Sequence, residues 1–312
     1  MNVAVLGSSG MLGSMVTDVL SREPGLHVAG TTRREEPLVM LRERLPSVRW
    51  RPLDAERASQ DDLRAALGDA QWAVNAIGII KPFIHDDNAA EVERATRVNA
   101  LFPHMLATEA ERTGCRVIQI ATDCVWSGRK GCYAEGDPHD CTDVYGKTKS
   151  VGEVYSSSMV HLRCSIIGPE PTAGFSLLHW FLKQPNGATV NGYTNHDWNG
   201  VTTLHYAKLC LGIMKLASDS TNSALFPHAQ HIVPSGTISK ADLLKVFARE
   251  YRRQDVTVNP GPAKTVIDRT LITKDDTMNR RIWAAAGYPE PPTVPRMVAE
   301  LAAFDYRLKV LP

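Results

Sequence analysis

The amino-acid sequence predicts an α/β protein with a doubly wound parallel sheet and a smaller C-terminal lobe. Three observations support this fold class. Hydrophobic residues make up 43% and charged residues 22% of the 312 positions, as in an ordinary globular protein. A β-rich run at the N-terminus ends at a glycine turn, which opens an amphipathic helical segment. Apolar strand-like segments then alternate with helical ones, as in repeated βα units around a parallel sheet.

The first predicted domain covers residues 1–168 and contains six strand-like segments. These strands are expected at residues 3–6, 27–30, 48–51, 72–77, 116–121 and 160–164. Strands of a parallel sheet are covered by helices on both faces, so they are apolar along most of their length. Between the first two strands, apolar residues recur at helical spacing as far as Leu20 and predict the first helix.

The second lobe is predicted at residues 169–312, because the alternating pattern loosens after Gly168. Its elements are expected as a helix at 175–182, a polar loop at 191–199, a helix at 203–214, a strand at 230–233 and helices at 243–251 and 295–304. Ser239, with Asp242 three residues later, is typical of a capping box at a helix start. The segments around 203–233 are expected to return to the first domain.

Charge and composition exclude several classes of partner. The formal net charge is only +1, so the chain has no excess of basic residues for nucleic acid or an anionic membrane. No apolar segment approaches the length of about 20 residues that a membrane-spanning helix needs. The N-terminus lacks the basic stretch and cleavage site of a signal peptide. We therefore expect a cytoplasmic protein with no nucleic-acid and no membrane partner.

The six cysteines are spread along the chain without a C-x-x-C pair. In a reducing compartment such cysteines are usually small buried hydrophobic residues. Structural zinc sites normally show closely spaced pairs of ligands. The sequence therefore predicts neither a disulfide framework nor a metal site.

The glycine turn after the first strand predicts a dinucleotide site. Gly7, Gly10 and Gly13 would let the backbone approach a pyrophosphate, while the following helix supplies free N–H groups. Their G-x-x-G-x-x-G spacing differs from the common fingerprint, and a glycine trio can also be a structural turn. The position between an N-terminal strand and an amphipathic helix favours a cofactor site in a Rossmann sheet.

The end of the second strand favours NADP(H) over NAD(H). An acidic residue at this place binds the ribose 2′-hydroxyl, whereas a basic residue accommodates a 2′-phosphate. Thr32 and Arg33 stand there, and the first carboxylate is Glu35. Guanidinium and hydroxyl groups suit a phosphate dianion. The alternative is that Arg33 and Arg34 form a solvated surface pair.

Three residues are predicted to carry the chemistry. Tyr145 and Lys149 are four positions apart and share one face of a predicted helix, while Thr122 follows the fifth strand. A hydride transfer to a carbonyl carbon needs a proton at the oxygen, and a phenol near pKa 10 is a reluctant acid. A neighbouring ammonium brings Tyr145 toward working pH, and the Thr122 hydroxyl polarises the same oxygen. The alternative for Thr122 is a threonine that caps a turn.

Several short motifs carry a resemblance to a known superfamily. They are Gly7-x-x-Gly10-x-x-Gly13, Asp54, Asn75-Ala76-Ile77-Gly78, Asn99, Thr122-Asp123-x-Val125-Trp126-x-Gly128, Tyr145-x-x-x-Lys149 and Leu162-Arg163. Together they resemble an extended short-chain dehydrogenase/reductase, and most of all the dTDP-4-dehydrorhamnose reductase family. The motifs cover about the first 170 residues, and the remainder matches only loosely.

The resemblance implies an NADP(H)-dependent reductase of a nucleotide-activated 4-keto-6-deoxysugar, with Tyr145 as proton donor. It implies cofactor contacts from the glycine turn, three strand ends and the active-site helices. These residues are Gly7, Ser9, Gly10, Met11, Leu12, Gly13, Thr32, Arg33, Asp54, Ala76, Ile77, Gly78, Asn99, Tyr145 and Lys149. Asp54 is implied at the adenine, and Asn99 in the helix that supports the active site. The resemblance leaves open whether the chain forms a homodimer.

Cys124 leaves a second chemistry open. Related 4,6-dehydratases carry a glutamate at this place and reductases usually an aromatic residue, whereas the GDP-fucose synthase family carries an epimerising cysteine with a histidine partner. Cys124 with His196 is therefore an alternative acid/base pair for epimerisation. A third alternative is a binding protein, because the regulatory subunit of methionine adenosyltransferase shares this fold and binds NADP.

The substrate side is predicted in the second lobe. Residues 191–203 are rich in amides and aromatics, which suit sugar hydroxyls and a nucleotide base. The predicted substrate contacts are Cys124, Trp126, Asn195, His196, Trp198 and Arg269. The alternative is an ordinary polar loop around a buried Trp198.

Overall fold

Seven parallel strands form the central sheet, in a computed structural model that describes residues 1–34, 36–171, 174–218 and 226–308. The strands are β1 (Asn2–Leu6), β2 (His27–Thr32), β3 (Arg49–Pro52), β4 (Trp72–Asn75), β5 (Arg116–Ala121), β6 (Met159–Arg163) and β11 (Ala229–His231). Their spatial order is β11, β6, β5, β4, β1, β2, β3, and every neighbouring pair is parallel. The predicted doubly wound α/β fold is confirmed.

Helices cover both faces of this sheet and make up much of the chain after residue 168. They are α1 (Met11–Leu20), α2 (Glu36–Arg44), α3 (Gln60–Leu67), α4 (Ala89–Ala95), α5 (Phe102–Thr113), α6 (Val144–Val151), α7 (Leu177–Leu182), α8 (Thr203–Ser218), α9 (Lys240–Glu250), α10 (Asp276–Ala285) and α11 (Val294–Ala303). Strand order reverses between β1 and β4, and ligands of open parallel sheets bind where the order reverses, at the carboxyl ends.

Alternation along β1 divides the core between the two faces. Val3 and Val5 join the hydrophobic cluster that includes α1 and α8, whereas Ala4 and Leu6 join the cluster that includes α3 and α5. All four side chains are almost completely buried. The carboxyl end of β1 is thereby fixed from both sides, which fixes the turn that follows it.

Short strand pairs join distant segments between residues 166 and 261. They are β7 (Ile166–Ile167) with β10 (Val201–Thr202), β8 (Thr189–Tyr193) with β13 (Thr257–Gly261), and β9 (Asp197–Trp198) with β12 (Ile238–Ser239). The prediction of a polar loop at 191–199 was wrong in part, because much of this segment is strand. The partners of these strands lie far away along the chain, so no local pattern indicates the pairing.

Some predicted boundaries shift for local reasons. The strand predicted at 72–77 ends at Asn75, whose side-chain oxygen accepts a hydrogen bond from the Ile77 N–H at 3.1 Å and turns the chain. Ser239 is the N-cap of α9, as the capping signature indicated, but the helix begins at Lys240 instead of residue 243. None of the described helices is both long and apolar enough to span a membrane.

The cysteines carry no cross-links. All six thiols are free, and Cys115, Cys164 and Cys210 are buried. Among the described residues, no group of three or more His, Cys, Asp or Glu side chains could hold a metal ion.

Candidate active site

The glycine turn between β1 and α1 leaves no room for side chains on its inner face. Gly7 has φ +84°, a left-handed conformation that favours glycine. A β-carbon on Gly13 would lie 2.1 Å from the Gly7 carbonyl oxygen, so α1 packs directly on the turn. Gly10 is the N-cap of α1, with no side-chain cap and no acidic residue in the first turn. The free N–H groups at this helix start therefore suit an anion such as a pyrophosphate.

The other predicted cofactor residues of this turn differ in exposure. Ser9 and Met11 are partly exposed at the turn, whereas the Leu12 side chain is buried in the core. Leu12 can therefore meet a ligand only through its backbone.

The end of β2 presents basic groups to the same edge of the sheet. Thr32 is buried and its hydroxyl donates to the Arg34 carbonyl at 3.1 Å. The Arg33 side chain is exposed and forms no hydrogen bond or ion pair with another described residue. Asp54, one strand further, is half-buried, and its carboxylate accepts the Glu56 N–H at 3.1 Å. Glu35 lies outside the described residues.

A π-helical segment, Thr96–Leu101, supports the loop after β4. Within it Asn99 is buried, and its side-chain oxygen accepts the Ile79 N–H at 2.8 Å while its amide donates to the Ile79 carbonyl at 2.9 Å. Ala76 and Ile77 are half-buried and Gly78 is exposed. A β-carbon on Gly78 would lie 3.4 Å from Asn99 Oδ1 and 4.0 Å from Lys149 Nζ. The amine of Lys149 therefore points toward the cofactor side of the cleft.

The helix α6, which carries Tyr145 and Lys149, has an anchored start. Asp143 is its N-cap and accepts the Gly146 N–H at 2.7 Å. The other Asp143 oxygen forms an ion pair at 2.7 Å with Lys81, from the loop after β4. This ion pair ties the helix start to the opposite side of the cofactor crevice.

The predicted catalytic side chains meet in one cleft. The segments that carry Thr122 and Tyr145 pack together: a β-carbon on Gly146, next to Tyr145, would lie 2.5 Å from the carbonyl oxygen of Cys124. The Thr122 hydroxyl accepts the Cys124 N–H at 3.1 Å. Lys149 follows Tyr145 by one helical turn and donates to the Ile120 carbonyl at 3.1 Å. Thr122 thus caps a turn, as its alternative interpretation had it, and also faces the phenol.

Burial shifts the pKa values of this group. It raises the pKa of the Tyr145 phenol, and the hydrogen bond with Thr122 opposes the rise. It lowers the pKa of the Lys149 ammonium to about 8, against the opposing charge of Glu153. Glu153 is itself held by Arg163, whose Nε lies 2.8 Å from its carboxylate. Near neutral pH the pair is therefore a phenol beside a protonated amine.

Cys124 is a poor acid/base group in this environment. Burial, and then the neighbouring Asp123 carboxylate, raise the pKa of its thiol to about 12. His196, the partner named for epimerisation, uses its Nε2 in a 2.8 Å hydrogen bond with the Thr265 carbonyl. The site therefore lacks a ready thiolate.

Two predicted substrate residues make contacts within the protein instead. The Asn195 side chain bonds the backbone of Ala263 twice, accepting its N–H at 2.8 Å and donating to its carbonyl at 3.0 Å. Trp126 is fully buried, so its predicted role as a stacking surface for the substrate was wrong. Its indole stacks on Tyr133 at 5.0 Å between ring centroids, and the Arg163 guanidinium lies 5.2 Å from it.

Two cations of the second lobe face the catalytic turn. Arg269 donates to the Trp126 carbonyl at 2.7 Å and acts electrostatically on Asp123 and Cys124. The sequence interpretation missed Lys240, whose ammonium acts on the same two residues. Its only local signal is its place after the Ser239 cap, which does not indicate proximity to Asp123. Trp198 is buried beneath that ammonium.

Comparison with known families shows to which family the chain belongs. A family model described as the RmlD substrate binding domain matches residues 1–303. The chain belongs to this family. The predicted relation to extended short-chain dehydrogenase/reductase enzymes of the dTDP-4-dehydrorhamnose reductase type is confirmed.

Solved structures share the fold of this RmlD-family chain. The dTDP-4-dehydrorhamnose reductase of Clostridium acetobutylicum has a TM-score of 0.68 at 16% identity, over 97% of this chain and 99% of that chain. The Bacillus anthracis dTDP-4-dehydrorhamnose reductase, in complex with NADP, has a TM-score of 0.69 at 16% identity, over 96% and 98%. The UDP-glucuronic acid 4-epimerase of Bacillus cereus, in complex with NAD, has a TM-score of 0.71 at 15% identity, over 99% of both chains.

One curated relative is similar over a short region. The spore coat polysaccharide biosynthesis protein SpsK of Bacillus subtilis is 37% identical over 70 residues, which is 22% of this chain and 24% of SpsK. The RmlD-family chain thus matches about a quarter of the length of this relative.

Proposed function

We propose that the protein is an NADP(H)-dependent reductase that converts the C4 ketone of a nucleotide-activated 4-keto-6-deoxysugar into an alcohol. The observation that carries the proposal is the packing of the helix start that bears Tyr145 against the turn that follows Thr122, with the Lys149 amine on the side of Gly78. The family match and the reductases of the same fold support the substrate class.

The residues of the crevice fit a nicotinamide dinucleotide. The close contact of Gly13 with Gly7 and the uncapped start of α1 leave space and N–H donors for a pyrophosphate. Arg33 at the end of β2 is exposed and has no partner among the described residues, so it suits a 2′-phosphate. Neighbours with this fold bind NADP in one case and NAD in another, so the preference for NADP(H) rests on Arg33 and the absence of a strand-end acid.

The chain's residues supply the proton and hold the developing charge. When bound, the reduced nicotinamide supplies a hydride for the carbonyl carbon. Tyr145, a phenol near neutral pH because burial raises its pKa, donates its proton to the C4 oxygen. The Thr122 hydroxyl, which otherwise donates to the Asp123 carboxylate at 3.2 Å, turns its proton to the same oxygen while charge develops there. The positive charge of Lys149 stabilises the phenolate that remains.

Absorbance of reduced nicotinamide tests this proposal. The protein is incubated with NADPH and the 4-keto-6-deoxysugars of dTDP, UDP and GDP, each also with the Tyr145→Phe variant. We expect oxidation with at least one sugar and its loss in the variant. Cofactor binding without oxidation of NADPH by any sugar would instead favour the non-catalytic regulatory role.

Solvent deuterium separates reduction from epimerisation. A reductase leaves the protons at C3 and C5 in place, whereas an epimerase exchanges them with solvent. Because the pKa of the Cys124 thiol is raised to about 12, we expect no enzyme-dependent label at either carbon. Label that disappears in Cys124→Ser would reassign the enzyme as an epimerase.

A further inference from the structure

The segment 268–274 brings Arg269 to the turn that follows Thr122. Arg269 Nε donates to the Trp126 carbonyl at 2.7 Å. Apart from a single bridge at Leu271, this segment belongs to no helix or strand. Individual hydrogen bonds therefore hold the segment, and the placement of Arg269 depends on them.

His231 ties this segment to the end of β11. Its ring is fully buried, with Nδ1 at 2.6 Å from the Ile272 carbonyl oxygen and Nε2 at 3.1 Å from Arg163 Nη1. A carbonyl oxygen only accepts and a guanidinium only donates, so Nδ1 carries the proton and Nε2 accepts. Burial also lowers the pKa of the ring to about 4, so it is neutral near pH 7. The imidazole is therefore a fixed link between Arg163 and the 268–274 segment.

Arg163 is itself fixed at the end of the catalytic helix. It is buried, its Nε lies 2.8 Å from the Glu153 carboxylate, and its Nη1 donates to the Glu135 carbonyl at 3.3 Å. Glu153 follows directly after α6, the helix that carries Tyr145. Arg163 thus joins the end of this helix to the His231 ring.

The Glu135 carboxylate ties the same segment a second time. It accepts the His231 N–H at 3.1 Å, the Thr273 hydroxyl at 2.6 Å and the Lys274 N–H at 2.9 Å. These contacts begin at Thr273, further from Arg269 than Ile272 is. Among the described side chains of the central sheet, the His231 ring therefore makes the contact to the segment that lies nearest to Arg269.

We propose that His231 is a positioning residue, whose hydrogen bond to the Ile272 carbonyl keeps Arg269 in place for the sugar substrate. The inference rests on the proposed function and on the predicted contact of Arg269 with the substrate. Because His231 is fully buried, it acts only through the segment. Small displacements of substrate-binding groups reduce binding and rate, so the loss of this bond is measurable. A histidine with a structural role alone would affect stability without a selective effect on the sugar.

Two amide substitutions separate the two hydrogen bonds of the ring. Asn places an amide group near Nδ1, so His231→Asn keeps a donor for the Ile272 carbonyl and loses the acceptor for Arg163. Gln places its amide group near Nε2, so His231→Gln keeps the acceptor and loses the donor. Each variant loses one buried hydrogen bond, so the thermal melting temperature should fall by a similar amount in both.

Steady-state kinetics with NADPH and the 4-keto sugar that the absorbance panel identifies measure the effect. We expect His231→Gln to raise KM for the sugar about 3- to 10-fold, as for one neutral hydrogen bond, with kcat and KM for NADPH nearly unchanged. The conservative His231→Asn should restore KM for the sugar. Arg269→Met, which removes the group that the segment positions, should raise KM for the sugar at least as much as His231→Gln. Equal KM values in the two His231 variants, or no rise in Arg269→Met, would overturn the inference.

Hydrogen exchange of the Ile272 and Lys274 amides tests the tie without turnover. The Ile272 N–H donates to the Tyr133 carbonyl at 2.9 Å, so its exchange requires the segment to open. We expect faster exchange at both amides in His231→Gln than in His231→Asn. The same exchange rates in the two variants would show that the ring does not hold the segment.

His161→Asn is the matched control for both measurements. His161 is a fully buried histidine whose Nε2 lies 3.0 Å from the Val154 carbonyl oxygen, outside the 268–274 segment. Since Asn does not reach the place of Nε2, this variant loses a bond of the same kind. It should lower the melting temperature and leave KM for the sugar and the exchange of Ile272 and Lys274 unchanged. A rise in KM equal to that of His231→Gln would show that general destabilisation explains the effect, and would overturn the inference.

The remaining outcomes separate this inference from the proposed function. An active reductase in which exchange differs between the two His231 variants but KM for the sugar does not would overturn the positioning role and leave the function standing. If no 4-keto sugar oxidises NADPH, the reductase assignment fails, and exchange alone still supports or rejects the tie between His231 and the segment.

Discussion

The two walls of the cleft are built in different ways. The cofactor wall consists of turns that directly follow strands of the central sheet, at Gly7, Arg33, Gly78 and Thr122. The substrate wall collects single residues from distant segments, such as Lys240 and Arg269, which the short strand pairs bring together. Backbone geometry therefore dominates the first wall, and individual side chains dominate the second.

This difference predicts what a substitution on each wall should affect. On the cofactor wall a ligand has space because the glycines carry no β-carbon. Replacing one glycine by alanine therefore disturbs either the fold or the cofactor site. On the substrate wall the backbone pairings hold the segments, so a side chain can change while the frame remains. The predictions below test this distinction from the largest expected effect to the smallest.

Tyr145 should show the largest effect on activity. Tyr145→Phe removes the proton donor and should lower kcat by about 10²- to 10⁴-fold, while Cys124→Ser should keep most of the rate. Steady-state kinetics with NADPH and the sugar that the panel identifies would measure both. A large loss in Cys124→Ser together with a small one in Tyr145→Phe would contradict the assigned roles.

Alanine variants of two glycines in the turn should separate effects on folding from effects on cofactor binding, and the first is Gly13. The β-carbon of Gly13→Ala would lie 2.1 Å from the Gly7 carbonyl oxygen, so the turn and α1 must move apart, at a cost of about 1–3 kcal/mol in the free energy of unfolding. Denaturant unfolding of the protein without cofactor measures this cost.

Gly10→Ala is the matched control for that position. Its β-carbon would lie 3.5 Å from the same oxygen, an ordinary contact, and Gly10 is exposed at the helix start. Because alanine is a poorer N-cap residue than glycine, we expect a loss of at most about 1 kcal/mol in the free energy of unfolding, together with weaker cofactor binding. Equal destabilisation by the two alanines would mean that packing does not shape this turn.

Loss of the Arg33 side chain should weaken the use of NADPH and leave the use of NADH nearly unchanged. Arg33→Ala should raise KM for NADPH on the order of 10- to 100-fold, the loss of a charge-assisted hydrogen bond, with little change for NADH. Arg34→Ala offers a comparison at the adjacent basic residue. If both cofactors respond equally to the loss of Arg33, that side chain does not contact a 2′-phosphate.

The Lys81 and Asp143 ion pair should show the smallest effect. Both side chains are partly exposed, so Lys81→Met should change the free energy of unfolding by less than about 1 kcal/mol. Activity should fall a few-fold more than in Lys215→Met, which breaks another exposed ion pair, with Glu23. Identical activity in the two variants would show that the pair does not position Tyr145.

The sequence predicted the cofactor wall better than the substrate wall for a physical reason. The glycine turn, Thr122 and the spacing of Tyr145 and Lys149 follow from local rules about strands, helix starts and parallel sheets. Lys240 lies over Trp198 only because residues 197–198 pair with residues 238–239, and no local pattern specifies that register.

The prediction that Trp126 contacts the substrate failed for a related reason. An aromatic residue next to a catalytic turn can face a ligand or the core, and the sequence does not distinguish these directions. Its burial depends on three rings: those of Tyr133 and His139, in the connection that follows Trp126, and that of His231, at the end of β11.

The π-helical segment at Thr96–Leu101 has a consequence for insertions and deletions in this chain. Asn99 holds both backbone groups of Ile79, and its own carbonyl lies 2.0 Å from where a β-carbon on Gly152 would stand. Each residue advances a helix by about 100°, so removing one residue before Asn99 would point its amide away from that loop. The length of the chain in this helix is therefore fixed to the single residue.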